Sequence, residues 1–380
     1  MNAPQAGETR LLFHIGMAKT GSSSLQRAFF GSEGYLASKG VLYPHNPARP
    51  KLHNHKLLAA QIAPLAKLPK HMARLGDQER VLQDCAEFVE HLRGEIAARR
   101  PALLLLSSET MFTRIRQPRE LRRALRALGT APPVFAAYLR RPSERYVSGL
   151  QQVLRSSHEP VQPRAPSYRA PIEGYEALFG AGCLRLQVFH RSLLEDGDVV
   201  ADFVARHLAE HGVETARLAQ VGERNVSLSA ESMTVLQAFR AAFREGERDV
   251  DKVVDALRRT LREADAATGA PRPRLRPEIA EMVDRASLDP LWLRDAHGVV
   301  FPGFDYRPLE QGRLAPPPER PLALEEIVVV DAERRRAVLE HLRGTDWAKP
   351  RRWRRWVESM LSEGAAEKPR LWYSLSKSRI

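Results

Sequence analysis

Cysteine is scarce in this sequence, which has only Cys85 and Cys183 among its 380 residues. The two lie far apart in apolar or amphipathic stretches, so we expect reduced core thiols and no disulfide or cysteine-based metal site. Long apolar runs are also missing, since none approaches the roughly 20 residues that span a bilayer. The first ten residues, MNAPQAGETR, are polar and lack the pattern of a signal peptide. Together these absences predict a cytoplasmic protein.

Acidic residues are outnumbered by basic ones. The sequence has 46 Asp and Glu against 59 Lys and Arg, which gives a formal net charge of +13. Such an excess favours anionic partners of some kind. Because nucleic acid, nucleotide, acidic glycan and membrane surface all carry negative charge, the charge alone does not choose among them.

Strand patterns are confined to the amino-terminal half of the chain. Four short apolar runs occur at residues 11–17, 102–109, 133–141 and 184–192. They lack a regular polar alternation, which is typical of strands buried on both faces of a parallel sheet. Helical spacing occurs at residues 77–100, 118–129, 142–157 and 198–212. The alternation predicts an α/β fold, a three-layer domain with a central parallel sheet.

The remainder of the chain shows linkers and helical patterns without strands. Residues 156–171 contain four prolines and few apolar residues, which predicts a loop. Helical patterns follow at residues 229–266, 277–288 and 322–343. We therefore predict an α/β core at residues 1–228, a helical extension at 229–321, and a carboxyl-terminal helix with a tail rich in Arg and Trp at 322–380.

Residues 11–26, LLFHIGMAKTGSSSLQ, look like a phosphate-binding loop with a displaced lysine. In the ATP-binding pattern G-x-x-x-x-G-K-[ST], the lysine follows the second glycine and the next hydroxyl holds magnesium. Gly16 and Gly21 keep the glycine spacing, but Ser22 occupies the lysine position and Lys19 lies inside the loop. A strand that turns through glycines into a helix presents backbone N–H groups and a positive dipole. The stretch therefore predicts an anion site.

The segment HIGMAKTGSSSLQ resembles the 5'-phosphosulfate loop of the sulfotransferases, whose bacterial carbohydrate-type members have a pattern like H-I-G-x-x-K-T-G-[TS]-[TS]-S-L-Q. The resemblance implies a P-loop-like fold and a donor, 3'-phosphoadenosine 5'-phosphosulfate (PAPS), that is held without a metal. The implied donor contacts are Lys19, Thr20, Gly21, Ser22, Ser23 and Ser24. Ser22 and Ser23 replace the commoner threonines, a change that keeps the hydroxyls.

A second stretch, YLRRPSERYVSGLQQ at residues 138–152, resembles the 3'-phosphate motif of the same family. That motif runs from a strand into a helix, often as R-x-P-x-x-R-x-x-S, and Arg140, Pro142, Arg145 and Ser148 match it. Pro142 suits a first helical turn, and Arg140 could contact phosphate through two N–H groups. The resemblance therefore implies that Arg140 and Ser148 bind the 3'-phosphate of the donor.

Two residues are candidates for the base that sulfuryl transfer requires. Glu109 ends an apolar run, and the carboxyl ends of parallel strands are where α/β sheets place ligands. His55 lies in HNHKLLAA, residues 53–60, which is similar to an N-H-x-x-L-A segment of the bacterial members. Related enzymes use a glutamate or a histidine in this role. Either Glu109 or His55 could take the proton while the other orients the acceptor, and we favour Glu109.

The resemblance implies a sulfotransferase that transfers the sulfuryl group of PAPS to a hydroxyl of a carbohydrate, glycolipid or small molecule. Two alternatives stay open: a P-loop-like nucleotide kinase, and a non-catalytic protein that binds nucleotide or nucleic acid. We expect no nucleic-acid partner and no metal, and we expect the helical extension to shape the acceptor pocket. The basic tail could contact nucleic acid, an anionic membrane surface or an acidic glycan. We favour instead a helix that packs Trp353 and Trp356 onto the domain, with its arginines in solvent.

Overall fold

The computed structural model describes residues 8–58, 76–113, 118–220, 227–243 and 250–362. Within these ranges one sheet contains β1 Arg10–Gly16, β2 Val41–Leu42, β3 Leu103–Ser107, β4 Val134–Leu139 and β5 Leu184–Val188. The strand order is β2-β3-β1-β4-β5, and all neighbouring strands are parallel. The predicted α/β class with a central parallel sheet is confirmed. The two-residue β2 is too short to show a pattern in the sequence.

Helices follow the strands and then fill the rest of the chain. Up to β5 these are α1 Ser22–Phe30, α2 Glu33–Ser38, α3 Gln78–Arg99, α4 Pro118–Arg126, α5 Pro142–Val153 and α6 Arg169–Phe179. After β5 they are α7 Val199–His207, α8 Ala230–Ala242, α9 Val250–Ala267, α10 Pro277–Asp284, α11 Asp289–His297, α12 Arg307–Glu310, α13 Leu324–Ile327, α14 Ala332–Arg343 and α15 Arg351–Ser362. Short 3-10 turns lie at Arg191–Leu193, Glu195–Gly197, Ala209–His211, Thr215–Arg217 and Asp346–Ala348.

The chain divides into two compact units. Unit 1 comprises residues 1–141, 167–222 and 288–306, and unit 2 comprises residues 142–166, 223–287 and 307–380. The predicted boundaries at residues 228 and 321 divide the chain linearly, whereas each unit is built from separated segments. Periodicity shows which face of a helix is apolar, but it does not show which distant element covers that face.

Helices cover both faces of the sheet in unit 1. On one face Leu12 of β1 belongs to a buried cluster with Phe29 of α1 and Phe203 of α7. Phe135 of β4 pairs with residue 13 of β1, and because side chains alternate along a strand it faces the other way. There its ring lies 4.5 Å from that of Tyr175 in α6. The sheet is therefore the middle of three layers.

The fates of the cysteines and of the tail helix were predicted correctly. Cys85 and Cys183 are both free and buried. Trp353 and Trp356 of α15 are buried and contact the ring of Phe239 within unit 2. The arginines of α15 are exposed, and their contact with an anionic membrane surface stays a prediction.

The predicted helix at residues 322–343 is wrong, because α13 ends at Ile327 and α14 begins only at Ala332. Val328 leaves the helix to form a bridge with Leu275, and Asp331 caps α14 by accepting a hydrogen bond from the Arg334 N–H at 2.9 Å. The predicted loop at residues 156–171 also ends early, because α6 starts at Arg169. None of the helices within the described ranges has the length and apolarity needed to cross a membrane.

Candidate active site

A tight turn joins β1 to α1 through residues 17–21. The N–H of Met17 donates to the carbonyl of Tyr138 in β4 at 3.0 Å, next to the end of β1. The carbonyl of Met17 accepts hydrogen bonds from the hydroxyls of Thr20 at 2.6 Å and Ser22 at 3.4 Å. These two hydroxyls therefore stabilise the turn itself, while Ser23 is exposed and Ser24 is half-buried in the first turn of α1.

Lys19 stands in the middle of this turn in a left-handed backbone conformation, with φ of 74°. A residue with a Cβ pays about 1–2 kcal/mol for that conformation. The residue is exposed to solvent. Strained residues that persist in a structure concentrate at binding and catalytic sites. This backbone geometry therefore adds a second reason to consider Lys19 functional, independent of the motif.

Both glycines of the loop lie where a side chain does not fit. A Cβ on Gly21 would come within 2.7 Å of Cγ1 of Val199 and 3.1 Å of the Phe189 ring. A Cβ on Gly16 would lie 3.0 Å from the backbone carbonyl oxygen of Glu109. Gly16 and Gly21 also have positive φ, of 114° and 80°, which favours glycine. The loop therefore packs closely against the segment that follows β3 and against the start of α7.

Glu109 lies two residues beyond the end of β3, and its carboxylate is held by α1. The amide of Gln26 donates to Oε2 of Glu109 at 2.8 Å and to the hydroxyl of Ser107 at 3.2 Å. The same hydroxyl contacts Nδ1 of His14 at 2.8 Å. Gln26, Ser107 and His14 are buried, whereas Glu109 is partly exposed. A buried polar chain thus ends at a carboxylate that solvent can reach.

The charge of Glu109 affects two neighbouring side chains. Burial raises the pKa of Tyr43 well above its usual value, and the negative charge of Glu109 raises it further. The pKa of half-buried Lys56 is lowered by burial, while Glu109 acts in the opposite direction. The Tyr43 hydroxyl donates to the carbonyl of His53 at 2.7 Å. Glu109 and Lys56 therefore bring opposite charges to the same end of the sheet.

His55 is buried, and both of its ring nitrogens are bound to backbone groups. Nδ1 accepts a hydrogen bond from the N–H of Ser107 at 2.8 Å, and Nε2 lies 2.9 Å from the carbonyl of Pro44, to which it donates. Burial lowers the pKa of His55 to about 4, although the two backbone contacts act to raise it. The imidazole is therefore neutral at pH 7 and joins the chain after β2 to the end of β3.

Arg140 follows β4, and both Arg140 and Gly21 of the loop contact the ring of Phe189. Its guanidinium stacks over the ring of Phe189 at 4.9 Å from the centroid. The N–H of Phe189 donates to the carbonyl of Leu139 at 2.7 Å, and the same ring packs against Gly21. Phe189 therefore separates Arg140 from the end of the loop, and both lie at one end of the sheet in unit 1.

Ser148 belongs to α5, which is part of unit 2. It is half-buried, three residues after Arg145 on the same helix, so the two share a helix face. The first turn of α5 is capped from α10: the N–H and hydroxyl of Ser143 donate to the carboxylate of Asp284 at 2.9 and 3.1 Å. The joint action of Arg140 and Ser148 on a 3'-phosphate stays a prediction.

Of the residues singled out from sequence, Lys19, Glu109 and Arg140 occupy the carboxyl end of the sheet in unit 1. Reasoning from sequence gave no role to Gln26, Lys56 or Phe189. Gln26 is the last residue of the quoted loop motif, and Phe189 lies within the fourth apolar run, so both stood in stretches already identified. Their roles depend on contacts between distant segments, and no local pattern reveals such contacts.

Comparison with known proteins yields no relatives. No family model matches the chain, no curated protein matches it significantly, and no solved structure does so either. A function is therefore argued from the site itself.

Proposed function

We propose that this protein is a PAPS-dependent sulfotransferase with a P-loop-like core, and that its acceptor is a hydroxyl of a carbohydrate, glycolipid or small molecule. One observation carries the proposal. The strained loop that holds Lys19 packs, through Gly16, directly on the backbone of Glu109. A loop that carries a lysine thus lies next to a residue whose carboxylate Gln26 holds, which suits transfer of an anionic group to an acceptor that loses a proton.

During the reaction the acceptor oxygen loses negative charge and the leaving phosphate gains it. The acceptor oxygen forms a bond to sulfur, the bond from sulfur to the 5'-phosphate oxygen breaks, and that oxygen leaves with the electron pair. Lys19 stabilises the negative charge that grows on the leaving phosphate. Glu109 accepts the proton of the acceptor hydroxyl. Positioning and electrostatics supply most of the acceleration, as in phosphoryl transfer.

We assign the base to Glu109 and a structural role to His55. Both imidazole nitrogens of His55 are committed to backbone groups at 2.8 and 2.9 Å, so neither has a lone pair ready for a substrate proton. Oε2 of Glu109 accepts a hydrogen bond from Gln26, while a carboxylate has further acceptor sites on both oxygens. Gln26 would hold the carboxylate in one orientation toward the acceptor.

We infer the donor contacts from the sequence motif, and the geometry of the loop supports them. Backbone N–H groups of the loop at Thr20, Gly21 and the first turn of α1 would hold the 5'-phosphate, with hydroxyls of Ser23 and Ser24 adding donors. Arg140 would contact the 3'-phosphate. A nucleotide kinase is the second candidate, but Ser22 occupies the position of the kinase lysine. A non-catalytic nucleotide-binding protein would not need a glutamate whose backbone packs on the loop and whose carboxylate is held by Gln26.

The test is a calorimetric titration of 3'-phosphoadenosine 5'-phosphate (PAP) without metal, compared with AMP and with ATP plus magnesium. We expect PAP to bind more than about tenfold more tightly than AMP, because a charge-assisted contact contributes about 1.5–3 kcal/mol. Arg140→Met should abolish that preference, and Arg141→Met, at the adjacent residue, is the matched control. Equal affinity for PAP and AMP contradicts the 3'-site, and metal-dependent ATP binding in place of PAP would favour the kinase.

A further inference from the structure

Unit 2 contains a group of arginines that the proposed reaction does not use. Arg258 and Arg262 lie one turn apart on α9, so their side chains share a face of the helix. Arg240 on α8, which packs against α9, contributes a third positive charge close enough to affect Arg258. We call these three residues the arginine cluster.

The cluster is withdrawn from water. The Arg258 side chain is only 12% exposed, whereas Asp255, which pairs with it at 2.9 Å, is 72% exposed. Arg240 is also buried, and its guanidinium donates to the backbone carbonyl of Arg155. The buried Nε atoms of Arg258 and Arg262 make no hydrogen bond with any residue of the described ranges. A buried guanidinium with an unused N–H group could donate a hydrogen bond to a ligand.

The positive charges of the arginine cluster are only partly balanced by acidic side chains. Burial lowers the pKa of Arg258, and the positive charges of Arg262 and Arg240 lower it further, against the attraction of Asp255. Within the described residues Arg262 forms no ion pair at all, and the buried carboxylate one turn along α9, Asp265, is occupied by Ser229 and Ser232. Like charges that share a buried position repel each other unless an anion neutralises them.

We propose that the arginine cluster of unit 2 binds a tetrahedral oxyanion, a phosphate or sulfate group, at a site distinct from the loop of unit 1. Planar guanidinium groups suit this ligand, because each presents parallel N–H donors to two oxygens. Arg258 and Arg262 would bind the oxyanion directly, and Arg240 would strengthen its attraction. The proposal does not depend on the donor, the acceptor or the base of the reaction.

The test is calorimetric titration of inorganic phosphate into the full-length protein and three variants. Arg258→Met and Arg262→Met remove the proposed ligands while keeping most of their apolar length. Arg259→Met removes an exposed arginine from the same helix and is the matched control. We expect the two cluster variants to bind phosphate at least about tenfold more weakly, since hydrogen bonds to charged groups are among the strongest. Arg259→Met should bind like the unaltered protein.

Thermal unfolding provides a second readout. Without phosphate, Arg262→Met should melt at a higher temperature than the unaltered protein, because a repulsive charge is gone. With phosphate, the unaltered protein should gain more stability by mass action than Arg262→Met, which keeps only the loop of unit 1 as an anion site. Arg262→Lys, which keeps the charge but loses the fork of donors, should bind with intermediate affinity.

Two further ligands distinguish a free ion from an esterified one. Glucose 6-phosphate and glucose 6-sulfate should compete with phosphate if the site accepts the end group of a larger molecule, and should fail to compete if it accepts only the free ion. Three results would each overturn the proposal: no phosphate binding by the unaltered protein, equal binding by all variants, or an equal loss in Arg259→Met. Equal binding would place the phosphate elsewhere, and an equal loss would indicate unspecific charge screening.

Discussion

Two regions of unit 1 lie side by side and use polar residues in opposite ways. The first, which we call the rim, comprises Lys19, Glu109 and Lys56, whose side chains are exposed or half-buried. The second, which we call the histidine layer, comprises His14, His55 and His207, all buried. Their pKa values are lowered to about 3, 4 and 4, mainly by burial. The rim therefore carries charge that solvent can reach, and the layer beneath carries none at neutral pH.

This difference teaches that a histidine near a strand end is not a base by virtue of its residue type alone. Water and substrate must reach a free lone pair at a nitrogen whose pKa lies near the working pH. His55 meets neither condition, because both of its nitrogens bind backbone groups. Substitutions in the rim should therefore change turnover without changing stability, and substitutions in the histidine layer should do the reverse.

The largest expected effect is that of Glu109→Gln in the rim. Removal of the base should lower kcat by about 10²- to 10⁴-fold, while PAP affinity and the free energy of unfolding change little. Single-turnover rates with saturating PAPS and an accepted alcohol measure the first quantity, and urea unfolding measures the last. A variant with near-normal turnover would place the base elsewhere and remove the contrast between the two regions.

Lys19→Ala should lower kcat by about 10²- to 10³-fold, as expected for loss of a group that stabilises transition-state charge. PAP affinity should fall much less, since the proposed charge develops mainly in the transition state. Lys51→Ala, at an exposed lysine outside the loop, is the control. If Lys19→Ala raises only the KM for the donor, Lys19 is a binding residue.

The histidine layer should make the fold sensitive to acid. A buried histidine with a lowered pKa stays neutral when the unfolded chain, with a pKa near 6.5, already takes up a proton. Stability should therefore be constant above about pH 6.5 and should fall toward pH 4, by about 1.4 kcal/mol per pH unit for each such histidine. Urea unfolding at a series of pH values measures this slope.

His55→Asn should reduce the pH dependence of stability by the contribution of one histidine, about 1.4 kcal/mol per pH unit. At pH 7 it should also cost about 1–3 kcal/mol of stability, because buried backbone groups lose their partners. At a temperature where the variant is fully folded, single-turnover kcat should change only a few-fold. A loss of turnover as large as that of Glu109→Gln in a folded variant would instead make His55 the base.

A smaller effect on kcat than in the two rim variants is expected at Gln26, which connects the two regions. Gln26→Ala removes the donor to Glu109 and to Ser107, so the carboxylate keeps its charge but loses its fixed orientation. We expect kcat to fall about tenfold, with the KM for PAPS unchanged, because orientation contributes less than the base itself. Gln26→Asn, whose amide is shorter, should not restore turnover if the contact with Glu109 is what matters.

The sequence predicted more of the fold than of the site. Apolar runs predicted β1, β3, β4 and β5, because buried parallel strands need apolar side chains on both faces. The same reasoning missed the break between α13 and α14, where the bridge from Val328 to Leu275 opposes local helical preference. In the site, the motif identified Lys19 and the strand end identified Glu109. The pairing of Gln26 with Glu109, across 83 positions of sequence, has no local pattern.

By itself, the sequence determined what depends on neighbours along the chain. The glycine spacing and Lys19 predict the strand-to-helix turn, and the apolar runs predict the buried parallel strands of an α/β fold. Only the tertiary structure decided which polar groups are charged and reachable. His55 and Glu109 are both polar residues in the sequence. Burial makes the imidazole of His55 neutral, and two backbone hydrogen bonds engage both of its ring nitrogens. Glu109 lies beyond the carboxyl end of β3, where its backbone packs on the loop at Gly16 and its side chain stays partly exposed.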